Sequence, residues 1–159
     1  MLRTLALAAL LIVTALPVTA GFKEGVEAYK RGDYRIAFRE FKSLAEQGDA
    51  RSQRNLGFMY ENGRGVPKNY KLAVNWYRKA AEQGHARAQF NLGVMYSNGQ
   101  GVPRNYTLAY MWWSLAAASG DKDAATLIEI VEKRMTPADV SRAQAMAAKW
   151  KPKKAKQTK

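Results

Sequence analysis

The 159-residue chain predicts an all-α fold, a short α-solenoid of stacked antiparallel helix pairs closed by a C-terminal capping pair. Three observations carry that expectation. The stretch NLGFMYENGRGVPKNY at 55–70 returns as NLGVMYSNGQGVPRNY at 91–106. The repetition extends further at a constant offset of 36, pairing Ala50 with Ala86, Leu56 with Leu92, Tyr60 with Tyr96, Trp76 with Trp112 and Gly84 with Gly120. Within each copy, apolar residues recur at helical spacing on both sides of a Gly-x-Gly-Val-Pro break. A period of this size marks a helix pair that cannot bury its apolar face alone and therefore stacks on its copies.

The first element to set apart is residues 1–20. Arg3 supplies a short positive start, Leu5 to Leu16 an apolar run, and Pro17 precedes the small-residue ending Val18-Thr19-Ala20. That is the three-part form of a signal peptide, with cleavage expected after Ala20. The run falls short of the ~18 apolar residues a membrane span needs, and no later stretch reaches that length. With no cysteine in the chain, disulfides, thiolate zinc sites and cysteine nucleophiles are all excluded. A periplasmic or secreted location in a bacterium is the expectation.

Residues 21–49 read as a degenerate first unit. Tyr34, Ala37, Phe41, Ala45 and Gly48 stand 36 before Tyr70, Ala73, Tyr77, Ala81 and Gly84, but the connector is five residues shorter and turns through Arg31-Gly32-Asp33. The full repeats occupy 50–85 and 86–121. Each opens on a helix, Ala50 to Asn62 and Ala86 to Asn98, whose buried side in the first copy carries Ala50, Gln53, Leu56, Gly57 and Tyr60. A second helix follows, about Asn69 to Gln83 in the first copy. Its expected buried stripe is Tyr70, Ala73, Trp76, Tyr77, Ala80 and Ala81, and Gly84 stops it. Gly57 and Gly93 sit inside helices, where glycine costs roughly 1 kcal/mol against alanine. Close approach of the paired helix, with Ala73 or Ala109 facing, accounts for them.

Residues 122–150 are expected to cap the stack, since terminal units must close it against water. A helix runs from Asp121 to Lys133. Thr136 then stands at an N-cap with Pro137 in the first helical position, and the last helix runs to Lys149 or Trp150. The ending 151–159, KPKKAKQTK, is too charged and proline-broken to fold alone and reads as a disordered Lys-rich tail.

The motif AxxQxNLGxMYxNGxGVPxNYxLAxxWxxxAAxxG resembles the Sel-one-like repeat, a relative of the tetratricopeptide repeat. The 25–49 unit, with AYKRGDYRIAFREF, is similar to a plain tetratricopeptide repeat, and MTPADVSRAQAMAAKW to the closing helix of many bacterial members. The resemblance implies a right-handed superhelix and scaffold or adaptor work, with a protein partner held on the side lined by first helices. The positions opposite the core face there are Arg51, Arg54, Phe58 and Asn62, then Arg87, Phe90, Val94 and Asn98. Lys23, Glu27, Lys30 and Arg31 are the first-unit candidates. Basic and apolar side chains together suit an acidic peptide with a hydrophobic anchor.

No catalytic constellation is legible. The single histidine, His85, lies in the turn AEQGHARAQ, and its counterpart 36 residues on is Asp121, so a polar helix-start position explains both. The GRGVP and GQGVP connectors lack the lysine-serine ending of a phosphate loop. Glu24, Glu27, Glu40 and Glu46 are dispersed along helices. No enzyme activity, cofactor or metal site is expected. Net charge is +13, and about +7 once the leader and the tail are set aside. That charge supports a second reading. Lys151, Lys153, Lys154, Lys156 and Lys159 would attract an anionic envelope polymer or lipid surface. The export signal argues against nucleic acid. Where the copies differ, function is expected: Arg54 against Phe90, Phe58 against Val94, Val74 against Tyr110, and the tail.

Overall fold

Stacked helix pairs are what the computed structural model contains, and residues 18–153 are described in it. Among these residues there are eight α-helices: α1 Val18–Arg31, α2 Tyr34–Glu46, α3 Ala50–Asn62, α4 Tyr70–Glu82, α5 Ala86–Asn98, α6 Tyr106–Ala118, α7 Lys122–Glu132 and α8 Pro137–Lys149. The expected leader lies outside the described residues apart from Val18–Ala20, which open α1. No helix among them is long and apolar enough to cross a membrane. Each helix from α1 to α6 packs on the next in sequence, and α6 also takes α8.

Helix ends follow the turn chemistry. Asn69 and Asn105 accept from the backbone N–H of Leu72 and Leu108 at 3.0 and 2.9 Å, which starts α4 and α6 where the spacing placed them. Thr136 Oγ1 accepts from Asp139 N at 3.1 Å with Pro137 behind it, as expected for α8. The first unit turns from α1 to α2 through Gly32 and Asp33 alone, where the full repeat uses 63–69.

The glycine seam forms with a different neighbour in front. A Cβ on Gly57 would lie 2.7 Å from the Tyr77 ring and 3.2 Å from the Ala73 carbonyl. On Gly93 it would lie 2.5 Å from Trp113 Nε1. Ala73 stands before Gly57 as expected, but the nearest atoms at both glycines belong to an aromatic ring, which fills the space that glycine leaves. Tyr77 is fully buried, and its hydroxyl donates to Glu61. Trp113 uses its ring N–H on the Phe90 carbonyl at 3.1 Å.

The connectors join units. A Cβ on Gly65 would fall on the carbonyl of Tyr34, and one on Gly101 on the carbonyl of Tyr70. Each Gly-x-Gly-Val-Pro segment thus rests against the start of the preceding unit's second helix.

Buried glutamines tie successive pairs. Gln53 Nε2 donates to Ala45 O at 3.1 Å, and Gln89 Nε2 to Ala81 O at 3.2 Å. Gln83 completes the first arrangement, donating to Gln53 Oε1 at 2.7 Å. Its counterpart Ser119 bonds Leu115 O instead, and Gln89 Oε1 is buried without a partner. Ser119→Gln is therefore expected to stabilise the fold by about 0.5–1 kcal/mol, read as a higher urea midpoint at unchanged slope.

The stripe expected on α4 needs a correction. Trp76 is half-buried and lies under Lys79, 4.2 Å from the ring centroid, while Val74 is 2% exposed. Trp112, one unit on, is in the core because the cap covers it. Tyr110 and Met111 are buried where α4 has Val74 and exposed Asn75, and the Tyr110 hydroxyl accepts from Gln144 of α8 at 3.1 Å. The Val74–Tyr110 difference, expected to carry function, thus serves the docking of α8. Trp150 follows α8 and meets Trp112 edge-on at 6.5 Å. The expected tail is held at its start. Lys153 N donates to Glu82 O at 2.7 Å, Lys153 Nζ pairs with Glu82 at 3.0 Å, and Pro152 lies beside Gly84. Residues 154–159 lie outside the described residues.

Candidate functional site

The first helices α1 and α3 meet across a cleft of about 250 Å³. Val26, Tyr29 and Lys30 line it from α1, Arg54, Asn55 and Phe58 from α3, and Phe41 of α2 forms part of the wall. Helical spacing explains the grouping: residues three and four apart share a face. The Tyr29 and Phe58 rings are 6.3 Å apart, and Tyr29 stacks edge-on to Tyr34 at 5.0 Å. Burial raises the Tyr29 hydroxyl above its ordinary pKa, against the pull of Arg64.

The eight residues expected to form a groove do not share one environment. Arg54 and Phe58 enter the cleft. Arg51 instead pairs with Asp49 at 3.1 Å and lies over the Phe22 ring at 4.3 Å. Arg87 pairs with Asp121 at 3.3 Å and Asp123 at 3.5 Å, and lies over Phe90 at 4.5 Å. Phe90 and Val94 are half-buried against the main core. Asn62 is exposed and donates to Phe58 O at 2.9 Å, closing its own helix; Asn98 is exposed and donates to Gln100 at 3.4 Å. Of the first-unit candidates only Lys30 lines the cleft, paired with Glu27 at 3.1 Å. Arg31 pairs with Asp33, and Lys23 is exposed.

Arg54 differs from the other cations. Its Nη1 donates to the neutral Asn55 Oδ1 at 3.1 Å, its Nε is buried without a partner, and its guanidinium lies 5.2 Å from the Phe58 ring. Burial lowers its pKa, and Arg87 adds to that, while Tyr77 and Glu61 oppose it. An arginine stays charged at neutral pH all the same.

Sequence reasoning missed Val26, Tyr29, Phe41 and Asn55. Phe41 carried a signal, since it stands 36 before Tyr77, but that pattern marks core and not cleft, and Tyr29 lies off the offset. Nothing in the offset singled out Val26.

His85 sits where expected, at the start of α5. Its Nδ1 accepts from Ala88 N at 3.3 Å, as Asp49 accepts from Ser52 N at 2.8 Å and Asp121 from Ala124 N at 3.0 Å. Burial lowers the His85 pKa from 6.5, with Arg54 and Arg51 adding to that and Asp49 opposing it. A depressed folded pKa means that the fold prefers the neutral ring. Its contribution is complete above about pH 6.5 and is lost as pH falls through the lower folded value. His85→Asp is expected to add about 0.5–1 kcal/mol at pH 7 by restoring a carboxylate cap. It should also remove part of the stability loss between roughly pH 6.5 and 5. Urea midpoints at both pH values check this; an unchanged pH dependence would refute the assignment.

A stack of antiparallel helix pairs with an aromatic-lined first-helix face is an α-solenoid repeat protein. Residues 50–85 and 86–121 each match the Sel1 repeat, so this chain carries two Sel1 repeats. The crystal structure of c5321, a protective antigen of uropathogenic Escherichia coli strains with an SLR fold, matches at TM-score 0.80 and 31% identity. The match covers 84% of this chain and 30% of that one. A Sel1 repeat protein from Oxalobacter formigenes matches at TM-score 0.68 and 31% identity, over 82% of this chain and 56% of that one. Cysteine rich protein B of Helicobacter pylori, at 22% identity and TM-score 0.56, shares the fold. It is matched over 69% of this chain and 93% of its own. DAP3-binding cell death enhancer 1 of rat and of mouse is 42% identical over 45 residues, which are 28% of this chain and 9% of theirs.

Proposed function

We propose that this chain is a non-catalytic protein-interaction module of the bacterial cell envelope, an adaptor, scaffold or regulator that takes its partner on the first-helix face. The observation that carries the reading is the cleft between α1 and α3, which gathers an unpaired cation and aromatic walls on the face a solenoid leaves open. The three-part form of residues 1–20 supports the envelope location. A stable interface buries roughly 800 Å² per partner, so a partner must spread beyond the cleft along α3 and α5.

The test is affinity capture from an envelope extract with three baits: the intact protein, a form ending at Lys153, and a variant with Arg54, Phe58, Arg87 and Phe90 changed to alanine. Ending at Lys153 keeps the Glu82 contacts and removes Lys154, Lys156 and Lys159. A defined protein held by the first two baits and lost by the third is the expected result. Capture that needs residues 154–159 and disappears at moderate salt would instead make the protein a charge-driven binder of anionic polymer or lipid.

A further inference from the structure

We propose that the outer side of the stack, formed by the second helices α2 and α4, docks on an anionic lipid bilayer. Ile36, Leu72 and Trp76 enter the interface, and Arg35, Lys71 and Lys79 meet lipid phosphates. The proposal shares the envelope location with the reading above but not its protein partner, which takes the opposite side.

Exposure is the first ground. α2 packs on α1 and α3, and α4 on α3 and α5, so the side of each that faces away from the first helices is open. α6 differs, because α8 packs on it. Of the four large hydrophobic residues exposed among the described residues, two lie on this open side, Ile36 at 38% and Leu72 at 37%. They stand 36 apart, so the repeat presents them in the same register on successive units. Trp76 follows Leu72 by one helical turn, half-buried, with Lys79 4.2 Å from its ring. Together with Asn75, Arg78 and Glu82, these three line a shallow depression of about 320 Å³.

Charge complementarity is the second ground. α2 and α4 carry six cationic side chains against three carboxylates. All three carboxylates are engaged, Glu40 by Arg39 at 3.0 Å, Glu46 by Lys42 at 3.9 Å and Glu82 by Lys153 at 3.0 Å. Arg35, Lys71 and Lys79 are exposed and have no acidic partner among the described residues. The Lys153 contact also sets the start of the tail at the C-terminal end of α4, so Lys154, Lys156 and Lys159 are tethered on this side. Each cation brought near an anionic leaflet adds to the attraction.

The third ground is that other occupants fit badly. A two-fold contact between copies of this face would set cation against cation. The chain's own lysine-rich ending is repelled by it for the same reason. A protein partner finds its anchors gathered in a central, fully buried cluster. Here the aliphatic and indole groups are spaced one or two to a helix with lysine and arginine between them, which is the composition of surfaces that lie in a lipid interface.

Sedimentation of the purified protein with vesicles tests the proposal, comparing phosphatidylcholine alone with phosphatidylcholine containing one-quarter phosphatidylglycerol, at about 0.1 M salt. The anionic vesicles are expected to bind about ten-fold tighter or more. Replacing Arg35, Lys71 and Lys79 together by glutamine should weaken that binding about ten-fold or more. Replacing Lys23, Lys30 and Arg87 of the first-helix side by glutamine removes the same charge and should change it less than about two-fold. Ile36→Gln with Leu72→Gln should weaken it about three-fold or more at unchanged charge. Every substituted position is exposed, and the comparison of vesicles uses the unaltered chain. Residues 1–20, where present, are common to all arms. Equal binding to both vesicles, or equal loss from the two triple variants, overturns the proposal. So does unweakened binding by the Ile36 and Leu72 variant together with displacement by polyphosphate, which would make the face a site for anionic polymer. If the vesicles are ignored while the four-alanine bait still loses its captured partner, the first-helix reading stands and only the lipid inference falls.

Discussion

Gly101→Ala is expected to destabilise the protein by about 3 kcal/mol or more, lowering the melting temperature by roughly 8 °C or more. Two costs add. Gly101 has φ +72°, a conformation that L-residues rarely adopt, and this alone costs about 1 kcal/mol. The added methyl would also fall on the Tyr70 carbonyl, at the first residue of α4. That carbonyl belongs to helix backbone, which cannot rotate away as a side-chain tip can. Gly120→Ala is the control. Its φ is +92° and nothing lies within 4 Å of the new methyl, so only the conformational cost applies. The expected difference between the two variants, about 2 kcal/mol, measures the rigidity with which one repeat rests on the last. Equal losses would show that the connector yields and that the contact between units is soft.

That contact also explains why the connector was legible and its purpose was not. Glycine and proline announce a break in any helical pattern, and the repeat fixed its length. The presence of the preceding helix under Gly65 and Gly101 is a fact of stacking, which no local signal encodes. The same limit misplaced Trp76. Angular reasoning assigns each helix one buried side, but α4 packs on both α3 and α5, so its buried arc is wider and turned. Val74 falls inside that arc and Trp76 at its margin. Trp112 is covered only because α8 returns over α6, so identical letters 36 apart meet different surroundings.

The cleft was half legible for a related reason. Arg54 and Phe58 lie in a full repeat, where helical spacing sets them opposite the core. Val26 and Tyr29 precede the five-residue-shorter connector of the degenerate unit, which breaks the offset that guided the other assignments, while Phe41 keeps the offset but as a core position. Differences between copies proved an ambiguous guide. Arg54 against Phe90 separates an unpaired cation in a cleft from a packed ring. Val74 against Tyr110 separates an inner unit from one that carries the cap.

The seam between α5 and α6 offers the sharpest energetic test. Gly93→Ala gains about 1 kcal/mol in helix propensity, yet its methyl would lie 2.5 Å from Trp113 Nε1 and 2.6 Å from Cδ1. Trp113 is 3% exposed and hydrogen-bonded to Phe90 O, so moving the ring aside disturbs core packing and a buried donor together. Overpacking of that kind costs roughly 1–3 kcal/mol, and with ring and donor disturbed together the upper end applies, leaving a net loss of about 2 kcal/mol after the propensity gain. Trp113→Leu removes the indole and its hydrogen bond, for a loss of about 3 kcal/mol. In the double variant the alanine methyl occupies space that the smaller side chain has vacated, and the helix keeps its propensity gain. The double loss should therefore fall short of the summed single losses by the relieved overpacking, about 2–3 kcal/mol, measured by urea unfolding. Strict additivity would show that Gly93 is not there to admit the ring, and another cause would then be needed for a glycine in the middle of a helix.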